Sequence, residues 1–275
     1  MSKKSSARIL PHEEYVEQEY LFKTLRERKS TTATQELMKT IRHEILASTQ
    51  LPMAMEFMET SLRHTGGMAE AMAHMAHYFT PFQTFIMSEA ERDGGKFDYF
   101  IALQLLEREA RCRAAGLAPP AMFLYQFEAL SRNRLNYERG LQAIASDPVF
   151  DANWSEWIGL VRRQLGLLDI AEMIYVRSEY YEILRKKPAE KPFLFGEKEG
   201  RIALANRRKD PTYLFAAFQR HLNYPQVPRP VLEESEESVL AKLMRTVDKL
   251  EARMKFLEDE MRGGVDITQY YVKDE

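Results

Sequence analysis

The sequence predicts an all-α protein: a multi-helix globular array, a basic appended segment and a short C-terminal coiled-coil helix. Three observations predict it. The first is composition. In 275 residues there are 29 Leu and 27 Ala against 22 Val plus Ile, with only 12 Gly and 12 Pro; unbranched side chains lose little rotamer freedom in a helix. The second is an apolar period of three to four residues between the chain's turn signals. The third is a run of seven apolar residues near the C-terminus at strict heptad spacing.

Elements follow in order. Residues 1–10 carry Lys3, Lys4 and Arg8 and no apolar run, so a disordered tail is expected there. The helical body is expected over 11–187. Pro11 suits a first helical turn, because its missing N–H would have no partner there. That helix reaches about Lys29, and Thr32 with Gln35 has capping-box spacing for the next, to about Ala47. Pro52 opens a third, Gly66-Gly67 interrupts, and a fourth runs toward Thr80-Pro81. Thr80 and Gln83 again fit a capping box. Turns are expected at Asp93-Gly94-Gly95, Gly116 with Pro119-Pro120, and Asp147-Pro148. Phe123, Phe127 and Leu130 step by four and three, and Trp154, Trp157, Ile158, Val161 and Leu165 trace one face. Asp169 and Glu172 sit at N-cap and third helical position of a segment expected to reach Lys186. Eight or nine helices are thus expected from Pro11 to Lys187, with no internal repeat.

Charge divides the chain into three zones. Residues 1–184 carry 21 basic and 25 acidic groups, residues 185–230 carry 11 and 4, and residues 231–275 carry 7 and 12. The middle zone spans a basic, aromatic-containing segment and a Pro-rich spacer over 188–230. Its end, Pro225-Gln226-Val227-Pro228-Arg229-Pro230, holds three prolines in six residues and reads as extended. Over the whole chain the net charge is −2, which excludes a uniformly basic nucleic-acid coat but not a local basic patch.

The coiled-coil helix is placed over 231–264. Leu240, Leu243, Val247, Leu250, Met254, Leu257 and Met261 are spaced 3-4-3-4-3-4, which keeps one apolar seam facing a partner helix. With Leu240 at position a, Leu falls at every d, which suits two parallel strands. Arg253 at g would then face Glu258 at e′ of the partner. Gly263-Gly264 supplies the left-handed end. The 22 residues from 240 to 261 span only ~33 Å, so a tight oligomer needs further contacts through the body. The C-terminal tail covers 265–275.

Candidate chemistry is sparse. Glu70, His74 and His77 are separated by four and three residues, which puts them on one helical face with Met68, Met72, Met75 and Phe79 opposite. Imidazole and carboxylate suit iron, manganese or zinc inside a helical bundle, with His43, Glu44, Glu56 and His64 as further ligands from neighbouring helices. The chain contains neither Glu-x-x-His nor His-Glu-x-x-His. A solvated helix face accounts for the trio more simply, and no cofactor is expected. Seven of the 14 methionines fall between Met53 and Met87, which reads as a compliant core or, failing that, an adaptable binding surface. Cys112, the single cysteine, is flanked by Arg111 and Arg113 yet shares a stripe with Ile101 and Leu105, so it is expected to be buried and unreactive. One cysteine also excludes an intrachain disulfide.

In the basic zone Arg201, Arg207, Arg208, Lys209 and Arg220 are candidate anion-binding residues. They stand among Phe193, Phe195, Tyr213, Phe215, Phe218 and Tyr224, so phosphate neutralisation with base stacking is one reading. Docking of this segment on the acidic body is the preferred one. These residues predict a cytoplasmic, non-enzymatic helical interaction protein. It dimerises through its coil, binds an unidentified protein partner and makes no membrane contact, since no stretch reaches the ~18 apolar residues a span requires. The alternatives are a metal-dependent oxidoreductase of the helical-bundle kind and, third, nucleic-acid binding through 185–230.

Overall fold

A computed structural model of the chain describes residues 8–29, 34–65, 67–92, 97–186 and 191–230, together with Met254. Two compact units divide the chain, residues 1–230 and 231–275. The described part of the first is all-α, with thirteen helices and no named strand among the described residues.

Closure of the body comes from α1 (His12–Arg28) lying along α6 (Tyr99–Ala114), the most extensive helix pairing among the described residues. Leu21, Phe22 and Leu25 of α1 and Ala102, Leu103, Leu105 and Leu106 of α6 are completely buried there. Between them, α2 (Thr34–Glu44), α3 (Leu51–Thr65), α4 (Met68–His74) and α5 (Pro81–Ala90) each pack on the next. The methionine-rich stretch is core, as its opposite-face spacing predicts. Met55, Met58, Met68, Met72, Met75 and Met87 are buried, and only Met53 stands out, at 70% exposed.

Capping follows the sequence closely. At α5 the Gln83 backbone N–H donates to Thr80 Oγ1 at 3.3 Å, and the Thr80 N–H donates back to Gln83 Oε1 at 3.1 Å. Asp151 caps α9 (Ala152–Gln164) through Trp154 N–H at 2.9 Å, and Asp169 caps α10 (Ile170–Val176) through Ala171 N–H at 3.0 Å. Thr32, one half of the other expected box, lies outside the described residues.

Two expected helices are divided. Residues 119–145 form α7 (Pro119–Arg132) and α8 (Tyr137–Ala145), because Asn136 starts a new helix by accepting from Arg139 N–H at 3.0 Å. The segment expected to run to Lys186 stops at Val176, and α11 (Glu179–Arg185) restarts after Ser178. The cause is non-local: Leu194 N–H donates to Arg177 O at 2.8 Å and Glu179 N–H donates to Phe195 O at 2.9 Å, so a strand-like crossing holds the chain open. Gly200 in α12 (Glu197–Ala205) permits it. A Cβ there would lie 2.2 Å from Ser178 Oγ and 2.7 Å from the Tyr180 Cβ.

Residues 191–230 pack on the rest of this unit. α12 lies on α10 and α11, and α13 (Pro211–Leu222) lies on α7. Phe195 enters an aromatic cluster, its ring centroid 5.1 Å from Trp154 and 5.2 Å from Trp157. The proline-rich end is extended but strapped down. Tyr224, Val227 and Pro228 are buried, Tyr224 Oη donates to Glu128 Oε2 at 2.7 Å, and Asn133 Nδ2 donates to Pro228 O at 3.0 Å. Positive charge meets negative along this contact, with Arg207 2.9 Å from Glu172 and Lys191 paired with Glu156. No helix among the described residues is long and apolar enough to cross a membrane.

Candidate functional site

The three metal-ligand candidates do not converge. Glu70, His74 and His77 are all exposed, and α4 ends at His74, so His77 leaves the helical face on which spacing places it. The helix ends because the chain turns inward after Met75, burying Tyr78, whose hydroxyl donates to Glu14 Oε2 at 2.8 Å. His74 Nδ1 donates to the carbonyl of Glu70 at 3.0 Å, and the ring meets Phe57 edge-on at 6.4 Å. Glu70 borders one recess with Lys29 and Glu91, whereas His74 and His77 border another, of about 300 Å³, with Gln50, Met53 and Phe57. The supporting carboxylates are engaged elsewhere: Glu44 accepts from Arg28 at 2.8 Å and Tyr20 at 2.6 Å, and Glu56 lies 3.7 Å from Arg42. His43 is exposed at the end of α2. The His64 side chain lies outside the described residues. Among the described residues no group of three or more His, Cys, Asp and Glu could hold a metal ion.

The strongest concentration of buried charge lies elsewhere, and the sequence reading passed over it. Arg113 of α6 reaches two carboxylates at once: its Nε donates to Glu109 Oε1 at 2.5 Å, and its Nη2 donates to Asp147. Glu109 and Asp147 are 0% and 1% exposed. Gln83 Nε2 donates to Glu109 Oε2 and to Gln18 Oε1, each at 2.9 Å, while Gln126 Nε2 donates to Asp147 at 3.1 Å. Burial pushes the Glu109 carboxyl above its ordinary value, against the opposing pull of Arg113. The guanidinium fork occupies the place where converging carboxylates would otherwise need another cation. Five chain segments are tied together there. A signal did exist: Glu109 and Arg113 are four apart on the same stripe as Leu105 and Leu106, so two charges stand on a core-facing line.

Cys112 is 1% exposed, and burial drives its thiol well above the ordinary range, which removes it as a nucleophile at neutral pH. Its flanking arginines point to other partners, Arg111 to Glu19 at 2.7 Å and Arg113 into the core.

A cavity of about 580 Å³ is lined by Lys29, Glu70, Glu91 and Tyr99. Lys29 Nζ sits 3.2 Å from the centroid of the Tyr99 ring, and loss of hydration lowers its pKa. Glu91 is committed to the start of α4, accepting from Met68 N–H at 2.7 Å and Ala69 N–H at 2.8 Å. A Cβ at Gly67 would lie 2.8 Å from that carboxylate, so a larger residue there would displace it from the start of α4.

The five basic candidates separate into two groups. Arg201 pairs with Glu197 and lies 5.2 Å from the Tyr180 ring; Arg207 pairs with Glu172 and lies 5.4 Å from the Tyr175 ring. Arg208 takes a left-handed backbone, φ 58°, with its N–H donating to Asp169 Oδ2 at 2.7 Å. Lys209 and Arg220 instead border a shared recess of about 430 Å³ on α13. The oligomerisation seam Leu240, Leu243, Val247, Leu250, Leu257 and Met261 lies outside the described residues, whereas Met254 is helical and 62% exposed. No family model, curated protein or solved structure matches the chain.

Proposed function

We propose that the chain is a non-enzymatic helical interaction protein, a scaffold that dimerises through the 240–261 seam and receives a partner protein's amphipathic helix in the α3–α4 recess. One observation carries the partner site. Met53 and Phe57, one turn apart on α3, are 70% and 46% exposed at the mouth of the recess that also holds His74 and His77. Large apolar side chains left open beside a recess favour protein contact, and thioethers adapt to irregular partners. The heptad spacing supports the dimer, which doubles the valency of that surface.

The oxidoreductase reading makes a different demand, a stoichiometric metal. Elemental analysis of tag-free protein is expected to find iron, manganese and zinc at trace level, unchanged by His74→Ala with His77→Ala. Met53→Asp with Phe57→Asp is expected to abolish retention of a stoichiometric protein partner without altering helical circular dichroism. One metal per chain, lost with the histidines while the helical signal persists, would overturn the scaffold in favour of the enzyme.

A further inference from the structure

We propose that the α13 recess binds single-stranded nucleic acid, with one base stacked on Tyr213 and the flanking phosphates on Lys209 and Arg220. This inference does not rest on the scaffold reading. It starts from the division of the basic residues: the guanidinium groups of Arg201 and Arg207 pair with Glu197 and Glu172, Arg208 reaches Asp169 through its backbone N–H alone, and Lys209 and Arg220 border the α13 recess. Lys209 and Arg220 make no side-chain hydrogen bond or ion pair among the described residues, and both are exposed.

Between them stands Tyr213, 64% exposed and without an aromatic or cationic partner among the described residues. Tyr213 and Arg220 are seven apart, hence on one helical face and about 10 Å apart along the axis. Lys209 precedes the helix, four residues before Tyr213, and borders the same recess. The floor between Tyr213 and Arg220 is Ala216 and Ala217, and Asn206 closes the side. Two small residues leave room beside the exposed Tyr213 ring. Asn206 Nδ2 is held by Ile202 O at 2.8 Å, which leaves the amide oxygen to accept from a base edge.

The order along the chain at this recess is cation, flat ring, cation, and this selects the ligand. A phosphopeptide presents one dianion and calls for cations gathered on a single point. A duplex keeps its base faces stacked inside. An unpaired strand alternates phosphate with open base face, the arrangement that single-strand binding surfaces match with aromatic platforms and positive charge. Local acids do not oppose it. Asp210, next to Lys209, keeps its negative charge, but the cap fixes its Oδ1 on Thr212 N–H at 2.8 Å and Thr212 Oγ1 at 2.7 Å, and Glu199 is 3.1 Å from His221.

Fluorescence anisotropy of the full chain with a labelled oligothymidylate of about a dozen nucleotides tests the assignment. Binding is expected at about 50 mM salt. Tyr213→Ala should weaken it about tenfold, and Tyr213→Phe should restore it, since stacking needs only the ring. Lys209→Gln with Arg220→Gln should reduce the steepness of log K against log salt by about 1.4, two phosphate contacts at ~0.7 each. Arg201→Gln, already paired with Glu197, should change neither. No binding at low salt would overturn the proposal. So would Tyr213→Ala binding like wild type, heparin displacing the strand as well as unlabelled oligothymidylate does, or a phosphotyrosine peptide displacing it at lower concentration. Circular dichroism of each variant separates lost binding from lost folding.

Discussion

Replacing Arg113 with Met is expected to destabilise the protein by about 3–5 kcal/mol at neutral pH, the usual cost of removing one partner from a buried ion network. Among the described residues the guanidinium is the only cation in contact with both Glu109 and Asp147, whose side chains are fully buried, and the methionine would leave the two acids without it. Arg113→Lys should cost less, because it keeps the charge but gives up the fork that reaches both acids. The pH dependence has a definite sign. Burial already holds the Glu109 carboxyl above its ordinary value, so the stability linked to it is lost as pH rises through its folded-state pKa. Removing Arg113 raises it further. The deficit of Arg113→Met relative to wild type should therefore shrink as pH falls from about 8 toward 5 and widen as pH rises. Urea unfolding at several pH values checks this, and a loss under about 1 kcal/mol, or one that grows on acidification, would contradict the network's role.

Phe195→Ala should cost a comparable amount, about 3–5 kcal/mol, as a completely buried ring is deleted. The side chain lies among Trp154, Trp157 and Phe123, while its backbone receives and donates at the α10–α11 break. The substitution therefore tests whether the basic segment is part of the folding unit. Phe193→Ala, two residues earlier and 48% exposed, should stay within about 0.5 kcal/mol. Near-ultraviolet circular dichroism should register Phe195→Ala through the two tryptophans and remain unchanged for Phe193→Ala. Equal, small effects at both positions would mean that 191–230 rests on the body without contributing to its core.

Local features were legible in the sequence because their causes are local. The Thr80–Gln83 box, the Asp169 cap and the buried face of Trp154, Trp157, Ile158 and Val161 all follow from spacing within a turn or two. What escaped was decided across the chain. Asp147 looked like a turn residue beside Pro148, yet its carboxylate neutralises an arginine 34 positions earlier. The helix after Asp169 has an unbroken period, and only the arrival of Leu194 and Phe195 at Arg177 and Glu179 opens it. His77 has the right spacing from His74 for one face, but burial of Tyr78 against Glu14 ends the helix first. In the basic zone charge alone could not tell Arg207, which has an acid 2.9 Å away, from Lys209 and Arg220, whose side chains make no ion pair among the described residues.

The proposed dimer is held by the 240–261 seam, and the mass of the full chain in solution decides whether it forms. Light scattering coupled to size-exclusion chromatography is expected to give twice the 32.1 kDa chain mass. Leu243→Asp with Leu250→Asp places an unpartnered carboxylate at two successive d positions of each strand and should return that mass to a single chain. A monomer for the unmodified protein at high concentration, or a dimer that survives both substitutions, would contradict the claim.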